Sequence, residues 1–151
     1  MSIGGPQLQN RAIPGFEPET LPNGVPFMKF TPPAVTGLGF LAALTDQQIL
    51  QNVDSLDQDG DGISGVPNFV IPPPYFIEQS FHEPVNGRII GRFGKKAAAI
   101  DLLQQTVGAY NQDMGITSTF EPVDPMSQLT TDPEVSDQTI RDVVFYLRTL
   151  K

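Results

Sequence analysis

Apolar residues recur with a helical period in two stretches of the chain. Over 95–112, Ile100, Leu103, Val107 and Tyr110 fall at i, i+3, i+7 and i+10, and alanines at 97–99 favour helix. The spacing predicts a helix over 95–112. Over 137–150, Ile140, Val143, Val144 and Leu147 make one apolar stripe. Ser136 stands where an N-cap is needed, and Asp137 suits the positive end of that helix. Residues 36–53 read as two shorter pieces. The first is an apolar turn or short helix over 37–44. The second opens on Thr45-Asp46-Gln47-Gln48, where Thr45 can cap an amide while Gln48 reaches back, and Ile49, Leu50 and Val53 give it an apolar face.

Residues 69–94 are the best candidate for β structure. Phe69-Val70-Ile71 is β-prone and is stopped by Pro72-Pro73-Pro74. Val85-Asn86-Gly87-Arg88-Ile89-Ile90 carries an Asn-Gly hairpin signal. Ahead of all this lies a proline-rich arm over 1–35, with apolar residues Ile13, Phe16, Leu21, Val25, Phe27 and Phe30. Those residues are too frequent for a free tail, so the arm is expected to wrap over the rest. The expectation is a mainly α chain with extensive Pro/Gly-rich loops and at most a small β-hairpin. It forms a single domain over 1–151: the arm over 1–35, then a helical core over 36–151.

Composition narrows the functions. The chain has 151 residues and no cysteine, which excludes disulfides, thiolate metal sites and covalent c-type haem attachment by this chain. Net charge is −8, which argues against nucleic acid as a partner. No apolar run is long enough for a membrane span, and the first residues, without a charged n-region or apolar core, are not expected to act as a signal peptide. A single histidine, His82, excludes catalysis that needs two.

The strongest chemical signal lies in an Asp-rich loop over 54–68. Asp57, Asp59 and Asp61 occupy positions 1, 3 and 5 of an EF-hand-type loop, Gly62 occupies position 6, and Ile63 offers its carbonyl at position 7. Three carboxylates at alternate positions repel unless a hard cation neutralises them, and glycine permits the sharp turn. Asn68 stands at position 12 in place of the bidentate Glu, which weakens the site or hands a ligand to Asp54, water or another segment. The expected ion is Ca2+, in a structural role, on Asp57, Asp59, Asp61, Ile63 and Asn68.

Other signals are weaker. Arg88, Arg92, Lys95 and Lys96 put four positive charges within nine residues. They suit an anion, or the carboxylates of a cofactor or partner; the simpler reading is a solvated junction paired with nearby acids. His82 beside Glu83 could form an acid–base pair, although a surface histidine is the simpler reading. Met114 could be a thioether ligand, with packing the simpler reading.

Several ordered stretches resemble the di-haem c-type cytochrome oxidoreductases related to bacterial di-haem cytochrome c peroxidases. They are the run 5–15 from Gly5 to Gly15, then Gly37-Leu38-Gly39-Phe40-Leu41 and Asp59-Gly60-Asp61-Gly62-Ile63-Ser64-Gly65 with Pro67-Asn68. Gly91-Arg92-Phe93-Gly94, Asp113-Met114-Gly115-Ile116-Thr117 and Val143-Val144-Phe145-Tyr146-Leu147-Arg148 follow. The resemblance places this chain between the family's two Cys-x-x-Cys-His haem sites, neither of which is present. It also implies a cytochrome c peroxidase-like inter-haem region. Lys95 stands where the family pattern has an aromatic residue after Phe-Gly.

The resemblance implies an exported, periplasmic setting in electron transfer or peroxidase chemistry. The implied partners are haem-bearing segments of a parent cytochrome, or an electron-transfer protein. The expected function is therefore a haem-free, calcium-stabilised domain without a redox centre of its own. The alternative is a stand-alone calcium-binding adaptor that has lost redox chemistry. An independent enzyme using Glu83 and His82 ranks last.

Overall fold

The computed structural model describes residues 14, 15, 17, 20–29, 31–125 and 127–151. Among these are four α-helices, a π-helical turn and one two-stranded antiparallel sheet. This agrees with a mainly α chain carrying a small β element. The chain resolves into two compact units: residues 32–105 with 141–151, and residues 106–140 with the described residues up to 31.

The first unit opens with α1 (Leu38–Ala43), entered through Gly37 at φ 81°. Gly37 N–H donates to the Leu150 carbonyl (3.1 Å), which ties this entry to the C-terminal end of the chain. In α2 (Asp46–Leu50) both arms of the expected capping box are present. Gln48 N–H donates to Thr45 Oγ1 (3.1 Å), and Thr45 N–H donates to Gln48 Oε1 (2.9 Å). Those two bonds satisfy orphan donors that a five-residue helix could not otherwise pair.

Strand β1 (Phe69–Val70) pairs antiparallel with β2 (Ile89–Ile90), Phe69 opposite Ile90. Asn86 and Gly87 both have positive φ, 52° and 72°, and Val85 and Arg88 exchange backbone hydrogen bonds of 2.8 and 3.0 Å. The Asn-Gly turn therefore forms as expected, but β2 takes its strand partner from 69–70 rather than from its own hairpin arm.

The helix expected over 95–112 is corrected at both ends. α3 spans only Leu102–Gly108, and Ala109–Asp113 winds as a π-helix. Gly94 turns the chain at φ 78°, Ala97 follows at φ 46°, and Phe93 bridges Ala99. Alanine propensity at 97–99 loses to these turn and bridge contacts. The helix starts where Asp101 caps it: Gln104 N–H donates to Asp101 Oδ1 (2.7 Å). Gln104 Oε1 in turn accepts from Ile100 N–H (2.8 Å).

α4 (Asp137–Thr149) matches its prediction closely, with Thr139 N–H on Ser136 Oγ (3.1 Å) as its cap. The core of the first unit gathers Phe93, Ala99, Leu102 and Val144, with Leu38, Leu41, Ala42, Leu103 and Leu147 packed around them. α1 approaches α4 closely enough that a Cβ on Gly39 would lie 2.1 Å from the Arg148 carbonyl oxygen. Glycine is what permits that approach.

In the other unit, buried Thr117 is a hub. Its N–H donates to Glu134 Oε2 (3.0 Å), its Oγ1 donates to the Asp132 carbonyl (3.1 Å), and its own carbonyl accepts from Glu134 N–H (3.0 Å). Of the arm's apolar residues, Leu21, Val25 and Phe27 are exposed. Ile13, Phe16, Phe30 and the stretch 5–13 lie outside the described residues.

Candidate functional site

Two chemically loaded places lie in the unit formed by 32–105 and 141–151. The first is the acidic loop. Its ends are fastened by reciprocal backbone bonds between Asp54 and Gly65, both 3.0 Å. Gly65 must be small, since a Cβ there would sit 2.7 Å from the Asn52 carbonyl oxygen. Between these ends the chain turns through Asp57, Gly60 and Gly62, all at positive φ.

Asp54, Asp57 and Asp59 each offer a carboxylate oxygen, and these oxygens all lie within 4.8 Å of one another. Loop amides hold them there. Asp54 accepts from Gln58 N–H (2.8 and 2.9 Å) and Asp59 N–H (3.3 Å), and Asp57 accepts from Gly62 N–H (3.1 Å). The Gln58 bond is the main reason that the Asp54 carboxyl is held below its ordinary value; partial burial opposes it. A depression of about 620 Å³ opens here, lined by Asp54, Asp59, Asp61 and Ile63 among others.

The residues expected from the spacing are distributed as follows. Asp57 and Asp59 are in the converging group, and Asp54 joins them. The Asp61 carboxylate accepts from Ile63 N–H (2.8 Å) within its own turn. The Asn68 side chain donates to the Lys96 and Ala97 carbonyls, each at 3.1 Å.

The second place is a buried polar cluster that no local signal announces. Arg92 pairs through Nη2 with Asp46 Oδ1, and both side chains are buried. Asp46 Oδ2 also accepts from Glu83 N–H (2.7 Å), and the Arg92 guanidinium lies 5.4 Å from the centre of the Phe81 ring. His82 is buried against Phe76 and Phe81 rather than on the surface. Gln79 N–H donates to His82 Nδ1 (3.0 Å), and His82 Nε2 faces Arg92 Nη1 at 3.2 Å. Donors therefore stand on both sides of the ring. Burial first, and the Arg92 charge second, push the His82 pKa below its ordinary 6.5; Asp46 opposes them.

The basic run 88–96 thus disperses. Arg92 goes inside to Asp46, while exposed Arg88 donates to the Phe69 carbonyl (3.2 Å). Glu83 reaches the cluster through its backbone, and His82 and Glu83 do not form the acid–base pair weighed above. Met114 is exposed rather than packed.

The sequence profile of the family described as "Di-haem oxidoreductase, putative peroxidase" matches residues 28–151. The chain belongs to this family. No curated protein matches the chain. No solved structure matches it either. The matched span takes in the acidic loop, the Gly91–Gly94 run, Met114 and all of α4. Haem held in the covalent manner needs cysteines for its thioethers and a free axial ligand. The chain offers no cysteine for those thioethers. These residues do not fit a covalently held haem of the chain's own. Among the described residues, no helix is long and apolar enough to cross a membrane.

Proposed function

We propose that this chain is a calcium-stabilised domain of the di-haem oxidoreductase family that carries no redox centre of its own. It works in an exported, periplasmic setting beside haem-bearing segments of a parent cytochrome or an electron-transfer protein. The observation that carries the calcium reading is the convergence of Asp54, Asp57 and Asp59 oxygens within 4.8 Å. Three carboxylates at that spacing repel one another, and a hard oxygen-seeking cation is the natural counter-charge. Asp61 and the Ile63 carbonyl complete the oxygen set, and Asn68 contributes through the fold of the loop's far end. Calcium here orders the connection between α2 and β1 and does no chemistry on substrate.

Thermal melting of the chain in calcium and in chelator tests this reading. A cation that binds only the folded state adds about 2.7 kcal/mol at a hundredfold excess over Kd. The native chain should melt higher in calcium, and Asp59→Ala should lose most of that gain. Magnesium should substitute poorly, because it holds its waters in a tight octahedron. A melting temperature indifferent to calcium in the native chain would overturn the proposal.

A further inference from the structure

A second cavity, of about 590 Å³, lies in the same unit as the acidic loop and shares none of its lining residues. That volume falls in the range of small-molecule sites, roughly 300–1,000 Å³. Phe81, Phe93, Phe145 and Tyr75 supply aromatic walls. Arg92, Arg141 and Arg148 line the same cavity, so three of the chain's nine Lys and Arg residues converge on one hollow. Asp101 is the one acid in that lining. In a chain of net charge −8, such a local reversal opposes the overall field.

Two of these arginines differ in what holds them. Arg92 is pinned in the wall by Asp46 and His82, yet its buried Nε takes no hydrogen-bond partner. Arg148 is exposed on α4, and among the described residues its guanidinium has no ion-pair or hydrogen-bond partner. Phe145, three residues earlier on α4, lines the same cavity and is 70% exposed.

We propose that this cavity binds a small amphipathic anion: an aromatic or aliphatic body against Phe81 and Phe145, with a carboxylate or sulfonate at Arg148. An arginine fork pairs with such a head group through two parallel N–H bonds, which fixes orientation as well as charge. The aromatic wall supplies the apolar contact. The site is independent of calcium and of haem attachment.

The test uses the full chain and two fluorescent probes, 1-anilinonaphthalene-8-sulfonate and its uncharged relative N-phenyl-1-naphthylamine. The sulfonate should bind about tenfold tighter than the uncharged probe, and laurate should displace it. Arg148→Gln, a change at an exposed position, should weaken sulfonate binding about five- to tenfold and leave the uncharged probe unaffected, as loss of one charge-assisted contact requires. Amide NMR shifts on adding the sulfonate should centre on Phe145 and Gly39. Equal affinity for the two probes, or full affinity in Arg148→Gln, would overturn the proposal. So would NMR shifts centred elsewhere.

Discussion

Arg92 and Asp46 stand 46 residues apart in the chain and meet as a fully buried ion pair, their side chains 2% and 0% exposed. The pair joins the first residue of α2 to the segment after β2. Both carboxylate oxygens of Asp46 are used, Oδ1 by Arg92 and Oδ2 by Glu83 N–H.

Removing one partner of such a pair leaves an uncompensated charge in the interior, at a cost of about 3–5 kcal/mol. Asp46→Ala and Arg92→Ala should each lower unfolding free energy by that order in urea titration. The double variant should cost much less than the sum of the two, because the stranded charge disappears. Additive losses would mean that the two residues act separately.

His82 gives the fold a pH dependence of definite sign. Its folded-state pKa lies below 6.5 because of burial and Arg92. Between the ordinary and the lowered value the unfolded chain binds the extra proton, so stability rises with pH across that window. Above about 6.5 the group contributes no slope; as pH falls through that value stability is lost, until the folded pKa is reached. Stability measured from pH 7.5 to 5 should decline, and His82→Asn should flatten the part due to this group. An imidazole NMR titration with a midpoint at or above 6.5 in the folded chain would refute the assignment.

The capping box on α2 predicts a smaller effect. Thr45→Ala removes the acceptor for Gln48 N–H and should cost about 1 kcal/mol, while Thr45→Ser should be nearly neutral. Chemical denaturation of both variants distinguishes a cap from mere side-chain packing.

What could be read beforehand was local. Thr45 with Gln48, Asn86 with Gly87, and Ser136 ahead of α4 are all short-range patterns whose chemistry is complete within four residues. The start of α3 was also local, but its true signal was Asp101 with Gln104 rather than the alanines before it. Helix propensity is a weak prior, and the Phe93–Ala99 bridge outweighed it. The acidic loop was legible in kind. Its converging group includes Asp54, one of the substitutes weighed for the missing position-12 ligand, which folds back to accept from Gln58 N–H. The Asp46, His82 and Arg92 cluster has no periodic or motif signature. It exists only because residues from three distant segments become neighbours, and burial of its histidine follows from that.

Two glycines make opposite predictions from the same substitution. A Cβ on Gly39 would meet the Arg148 carbonyl oxygen at 2.1 Å and its carbonyl carbon at 2.9 Å, both backbone atoms that cannot rotate aside. Gly39→Ala must therefore push α1 away from α4 and loosen the contacts of Leu38, Leu41 and Ala42 with the core. Overpacking of this kind costs about 1–3 kcal/mol. Gly108, at the end of α3, has helical dihedrals of −61° and −38° and no neighbour within 4 Å of an added Cβ. There alanine restricts the unfolded chain and fits the helix, so Gly108→Ala should stabilise by about 0.5–1 kcal/mol. Thermal melts of the two variants should move in opposite directions from the native chain. A shift of the same sign in both would mean that α1 and α4 do not approach as described, or that Gly108 serves a purpose other than closing the helix.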